Sequence, residues 1–220
     1  GISYMHPIKK EILRSLILNP QLRFARLKPD DIESNHFIYY LKQLIDEGLV
    51  KKSGSYYSLS PSGKQHAERI SLKDLTVRLQ PKIVTAPVVF DGDEVLLYRW
   101  AREPGYGQFS LVHGKLHFGE GILAAANREL KEKTNLEATL EHVGSVYIRE
   151  FDGEDCAKHL FSHVFKGSGA VGDMKPTKVG EPVWVKRSEV ESLDTLPGTK
   201  EILDLIDREE FFFEELDFKN

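Results

Sequence analysis

The residues that most constrain this chain lie between Gly114 and Leu136, where a glycine, a lone glutamate and a charge-dense stretch follow one another at fixed spacing. Five residues separate Gly114 from Glu120, and seven more separate Glu120 from Arg128-Glu129-Leu130, which Glu132, Lys133 and Leu136 follow. Residues 121–133 contain no proline and are rich in Ala, Leu, Glu and Lys, so a helix is predicted there. Residues three and four apart on a helix share a face. Glu129, Glu132 and Lys133 are therefore expected to point into one site, with Leu123, Ala126 and Leu130 forming the seam toward a core. Taken alone, such a charged stretch reads as a solvated helix face; its spacing to Gly114 and Glu120 argues for more than that.

The surroundings of this stretch predict a sheet. Residues 83–90 are a β-branched run, Asp91-Gly92-Asp93 is a turn signal, and residues 94–99 form a second strand, so this part opens with a hairpin. A Gly/Pro loop over residues 102–107 precedes Phe109, and residues 143–149, 160–165 and 183–185 read as later strands. A chain of 220 residues exceeds the usual domain size of roughly 100–150 residues, which favours two domains. The change of character over residues 71–80 places the boundary near Pro81. The expected division is 5–75, 80–210 and a tail over 211–220, with the four residues before Met5 set aside as extraneous to the fold.

Hydrophobic content of 40% with 29% charged residues excludes the polar bias of disordered chains, so both parts are expected to fold. The net charge of −4 divides unevenly: residues 1–75 hold 12 Lys/Arg against 8 Asp/Glu, and the remainder holds 18 against 26. A basic first part suits a polyanionic partner. One cysteine, Cys156, forms no internal disulfide and is most simply read as belonging to a reducing compartment, the cytoplasm by default. No apolar run approaches the roughly twenty residues of a membrane span, and no membrane partner is expected.

In the first part, Ile8, Ile12, Leu13, Leu16 and Ile17 recur at helical spacing after Pro7. Phe37, Tyr40, Leu41, Leu44 and Ile45 mark a clearer helix that Gly48 ends. Two short strands around Ser53-Gly54 follow, then Ser60-Pro61-Ser62-Gly63 opens another helix. Helix, helix, helix and basic hairpin resemble the winged-helix family of regulators. The resemblance implies a recognition helix over about residues 33–47, presenting Asn35, His36, Tyr39, Lys42 and Gln43 to the major groove of double-stranded DNA. Lys51 and Lys52 of the wing would lie on phosphates. The competing reading is a protein–protein or dimerisation module.

The stretch from Gly114 resembles the Nudix (MutT-like) signature, a loop–helix–loop motif: Gly114, Glu120, Arg128, Glu129, Leu130, Glu132 and Leu136 occupy seven of its nine defined positions. The resemblance covers most of residues 82–210. It implies an α+β chain whose second domain is an α/β/α sandwich with a mixed sheet. It also implies a site for nucleoside-diphosphate compounds in which Mg2+ or Mn2+ neutralises phosphate oxygens and activates water. By that resemblance Glu129 and Glu132 are metal-site carboxylates, the Gly114 carbonyl is a further ligand, Glu120 braces the loop, and Arg128 orients a carboxylate. A later acid, Glu181 or else Glu154 or Asp155, is expected to complete the metal site.

Two positions depart from the signature. Lys133 stands where a second glutamate belongs, and Asn135 where a glycine does. Asn still adopts the left-handed helix-end conformation, but Lys133 removes a carboxylate and repels a cation; it could pair with Glu129 or meet a ligand phosphate instead. Trp100, Tyr106 and Phe109 are possible base-stacking residues, with core packing preferred for at least two of them. The pairs His113/His117 and His159/His163 are read as locally partnered in preference to a zinc cluster. The aromatic tail is expected to dock on its own domain or on a second subunit. The favoured reading is a homodimeric DNA-binding regulator whose second domain binds a nucleotide-type metabolite with weak or lost hydrolysis. The alternative is an active metal-dependent Nudix hydrolase with the winged helix as a docking module.

Overall fold

The computed structural model describes residues 5–219, so the four residues set aside above lie outside the described residues. The chain forms two compact units, residues 1–79 and 80–220.

In the first unit, α1 (Pro7–Leu18) starts with proline in its first turn, where a missing N–H costs nothing, and the His6 side chain accepts from Ile8 N at 3.3 Å. A two-residue strand β1 (Leu22–Arg23), a single turn α2 (Phe24–Leu27) and α3 (Ser34–Asp46) follow. The hairpin β2 (Val50–Ser53) and β3 (Tyr56–Leu59) leads to α4 (Pro61–Glu68). The strands run in the order β1-β3-β2, so the short segment before α2 supplies a third strand that no periodicity announced. Ile12, Leu13, Leu16, Phe37, Leu41, Leu44 and Val50 make the core. At the start of α4, Ser60 caps Gly63 N at 2.9 Å, and a Cβ on Gly63 would collide with the Leu49 carbonyl.

The second unit is built on β4 (Lys82–Asp91), β5 (Glu94–Trp100), β6 (Phe109–Leu111), β7 (Gly114–Lys115), β8 (Glu137–Asp152), β9 (Asp155–Val171), β10 (Gly180–Lys186) and β11 (Phe212–Lys219). Its helices are α5 (Ile122–Thr134) and α6 (Thr199–Ile206), with a 3-10 turn over Arg187–Ser192. The strand order is β10-β5-β4-β9-β8-β11. β4 with β9 and β8 with β11 are parallel, while β10 with β5 and β8 with β9 are antiparallel, so the sheet is mixed.

Alternation sorts the strand residues onto two covered faces. Val88, Val95 and Leu97 pack with Ile202, Leu203 and Ile206 of α6. Their neighbours Val89, Leu96, Tyr98 and Trp100 pack with Leu130 of α5. This is why residues 83–90 read as an unbroken apolar run: both faces of β4 are buried. The aromatic tail becomes β11, alongside β8 in its own sheet. Phe212 is buried against Gly144, where any Cβ would strike its ring, and Arg149 grips Asp217 at 2.8 and 3.0 Å.

Candidate functional site

Helix α5 buries Ala125, Ala126, Glu129, Leu130 and Thr134. Leu123, expected in the buried seam, is instead 48% exposed. The seam is a double stripe of residues four apart, Ala125–Glu129 beside Ala126–Leu130–Thr134, and its small alanines bring the helix close to the sheet. The helix ends at Asn135 in the left-handed conformation, φ +62°, with its side-chain amide donating to the Asp173 carbonyl at 2.8 Å.

Putting Glu129 on the buried stripe requires room for a carboxylate, and Gly114 supplies it. A Cβ at Gly114 would fall inside the Glu129 carboxyl group. Arg128 gathers the surrounding acids. Its guanidinium donates to Glu120 through Nε at 2.7 Å and Nη2 at 2.8 Å, to Glu129 through Nη1 at 2.6 Å, and to the Lys115 carbonyl at 3.1 Å. Glu132, more exposed, lies 3.4 Å from Nη1. The backbone N–H of His117 donates to Glu120 at 3.1 Å. These charge-assisted bonds, the Arg128 contacts above all, hold the Glu120 carboxyl down to about 2 and push the Arg128 guanidinium upward.

Lys133 completes the arrangement. Its ammonium sits 3.8 Å from Glu129 Oε2 and 5.4 and 5.7 Å from the ring centres of Trp100 and Tyr98. Glu129, 6% exposed, thus has a cation against each oxygen. A divalent ion in a family site of this kind needs carboxylates whose lone pairs are available. Here Arg128 and Lys133 engage Glu129, and Lys133 stands one turn away as a fixed positive charge, so the donor set around Glu129 fits a dication poorly. Among the described residues no three His, Cys, Asp or Glu side chains are disposed to hold a metal.

On the α6 side of the sheet, the face opposite α5, a small cavity of about 40 Å³ is lined by Val84, Ala86, His113, Lys158, Ser162 and Thr199 among others. Its walls are apolar with a few polar groups, and its size falls well short of the roughly 300–1,000 Å³ of a small-molecule pocket. His113 adjoins both regions. It lines the cavity, precedes Gly114, and its ring lies 5.7 Å from that of Trp100. Loss of hydration pushes its imidazole down to about 4, with Lys133 and Lys158 adding repulsion, and its Nδ1 lies 3.0 Å from the Leu111 carbonyl. Sequence alone does not single out Lys158, Tyr98 or Thr85, because they lie on three strands whose pairing is non-local. In the sequence, His113 stands out only as one half of the His113/His117 pair.

The remaining expected residues fall as follows. Glu181 lies opposite Arg99 in the β10–β5 register, 3.9 Å from its guanidinium, and lines a second pocket with Trp100 and Tyr106. Glu120, Glu129 and Glu132 share Arg128 as a partner, whereas Glu181 is paired with Arg99 instead. Tyr106 is 69% exposed, Phe109 packs against the core beneath Arg99, and Trp100 is buried. Glu154 and Asp155 sit at the β8–β9 turn. His117 lies 4.0 Å from Glu120, and His163 bonds Ser145 at 3.1 Å, so the paired histidines have separate partners. In the first unit, Asn35, His36, Tyr39 and Lys42 are exposed on α3 with Gln43 half-buried, and Lys51 and Lys52 are exposed on β2.

A family profile for the NUDIX domain matches residues 80–206. An ADP-ribose pyrophosphatase of Methanocaldococcus jannaschii is 28% identical over 149 residues, covering 66% of this chain and 84% of that protein. A MutT protein of Bacillus halodurans superposes with a TM-score of 0.55 at 27% identity, over 63% of this chain and 90% of its own. The NUDIX domain of Shewanella oneidensis NrtR, solved with ADP ribose, gives a TM-score of 0.53 at 14% identity over 66% of this chain and 97% of its own, which shows a shared fold. With the loop from Gly114, the helix carrying Arg128 and Glu129, and the mixed sheet between two helices, the chain belongs to the Nudix family.

Proposed function

We propose that the Nudix domain binds a nucleoside-diphosphate-linked metabolite such as ADP-ribose, with metal-dependent hydrolysis weakened or lost. We further propose that the first unit is a winged helix that binds double-stranded DNA, so that the chain acts as a ligand-responsive regulator, as a homodimer. The observation that carries the first part is the double engagement of Glu129 by Arg128 and Lys133. A carboxylate so held is a poor ligand for Mg2+ or Mn2+, whereas the Lys133 ammonium beside it suits an anionic ligand. The second part is supported by the exposed hydrogen-bonding residues on α3 and the exposed Lys51 and Lys52 of the wing.

A second reading has its own support: an ADP-ribose pyrophosphatase is among the relatives. Under it, ligand entry frees Glu129 and Glu132 from Arg128, an acid such as Glu181 joins them, and Mg2+ or Mn2+ binds with the winged helix as an accessory. Lys133→Glu separates the two. On the favoured reading this variant gains Mn2+ affinity over the native protein; equal affinities would show that Lys133 does not obstruct the metal.

The test of the proposal as a whole is a thermal-shift screen of nucleotides with and without Mg2+, paired with mobility shifts on duplex DNA. A specific ligand raises the unfolding temperature by mass action. ADP-ribose is expected to do so without metal and to alter DNA affinity. A protein whose DNA mobility shift is indifferent to every stabilising nucleotide would not be a ligand-responsive regulator.

A further inference from the structure

Among the described residues, one buried side-chain polar atom has no hydrogen-bond partner: Oγ1 of Thr85, in a residue with 0% exposure. A buried hydroxyl left unpaired is destabilising, so its surroundings are informative. Val84 and Ala86 face the cavity on the α6 side, and strand alternation therefore turns Thr85 toward α5. There Thr85 is paired in register with Gly114.

The Glu129 carboxylate fills the space that a Gly114 Cβ would occupy. Directly opposed residues of an antiparallel pair have Cβ atoms about 5 Å apart. The Thr85 hydroxyl is consequently within side-chain reach of the Glu129 carboxylate, without being bonded to it in the resting arrangement. Of the two cations on that carboxylate, Arg128 is the closer at 2.6 Å, and Lys133 the looser at 3.8 Å. Lys133 also has the Trp100 and Tyr98 rings beside it as an alternative resting place.

We propose that Thr85 is a positioning residue for Glu129. When the Lys133 ammonium turns to an anionic ligand, the Thr85 hydroxyl rotates and donates to Glu129, so that the buried carboxylate keeps two partners. The unpaired hydroxyl of the resting protein is then the cost of stabilising the ligand-bound one. This inference rests on the reading of the site as a diphosphate site. The competing use of the hydroxyl is His163, which faces Thr85 from β9 and already bonds Ser145.

A double-mutant cycle on stability tests this without a ligand. In the native background Thr85→Val removes an unpaired hydroxyl and is expected to raise Tm. In a Lys133→Met background the hydroxyl is already recruited to Glu129, and the same substitution is expected to lower Tm. Equal shifts in the two backgrounds, as for a hydroxyl serving His163 or nothing, would overturn the assignment. A second arm uses ADP-ribose as probe: Thr85→Val weakens binding about tenfold, the scale of one hydrogen bond to a charged group, and Thr85→Ser retains it. Undiminished affinity in Thr85→Val also overturns the assignment. If the native protein gives no binding signal at all, the proposed ligand class fails, while the stability cycle still decides the role of Thr85.

Discussion

Helices α3 and α5 are each thirteen residues long, and they spend their polar side chains in opposite ways. On α3 the apolar stripe of Phe37, Leu41 and Leu44 is buried, and Asn35, His36, Tyr39 and Lys42 face outward. On α5, Arg128, Glu129 and Lys133 turn back into their own domain, while Lys131 and Glu132 stay exposed: Arg128 binds Glu120 and Glu129, and Lys133 closes on Glu129. A helix whose polar residues stand in water has them available to a partner, at little cost to the fold. A helix whose charges are half-buried has made them structural, and whatever binds there must exchange one set of partners for another.

That contrast predicts unequal responses to mutation. The largest is expected for Arg128→Ala, which leaves Glu120 and the buried Glu129 without their shared cation. A loss of about 2.5 kcal/mol in denaturant unfolding is predicted, below the roughly 3–5 kcal/mol of a fully buried pair because Arg128 keeps some solvent contact. Lys42→Ala on α3 should stay within about 0.5 kcal/mol of native; similar losses at both positions would erase the distinction.

Next comes Gly114→Ala. The new methyl displaces the Glu129 carboxylate, and about 2 kcal/mol of stability should be lost through overpacking. A crystal structure of the variant with Glu129 unmoved would show that the glycine is not there for the carboxylate. In the first unit, on β2, Lys51→Ala with Lys52→Ala should leave unfolding unchanged. The logarithmic salt dependence of duplex binding should flatten by about 2, one unit for each lost phosphate contact. An unchanged salt slope removes β2 from the proposed DNA interface.

The smallest effect concerns pH. Arg128 lowers the Glu120 carboxyl from 4.5 to about 2, and a depressed carboxyl stabilises the fold above its unfolded value. That contribution is complete above about pH 4.5 and is lost as pH falls toward about 2. Glu120→Gln should therefore flatten the acid limb of the Tm–pH profile in that window. Parallel profiles for the two proteins would mean that the Glu120–Arg128 bonds persist in the unfolded chain or add nothing.

The loop, the helix and the strands of the second unit were legible because local rules carry them: spacing from Gly114, alanine-rich helical residues, and β-branched runs closed by Asp-Gly turns. Three features were not. Glu129 is expected in the site but not as a buried residue, and its burial depends on the space left by a glycine fifteen positions earlier. The tail is expected to dock on its own domain or a second subunit, but not as a strand, because its partner, β8, lies more than sixty residues away. Thr85 is one β-branched residue in a strand buried on both faces, and only the register with Gly114 gives it a neighbour worth naming. Leu123 failed for a simpler reason: in the first turn of α5 it precedes the part of the helix that meets the sheet, so helical spacing overstated its burial.

The central claim is that Glu129, held between Arg128 and Lys133, serves a site that binds better than it turns over. It is tested most directly by measuring ADP-ribose binding and hydrolysis on one preparation of the full chain with Mg2+ or Mn2+. The account predicts saturable binding with a turnover far below the roughly 1–1,000 per second of ordinary enzymes. Turnover within that range, abolished by Glu129→Gln, would contradict it.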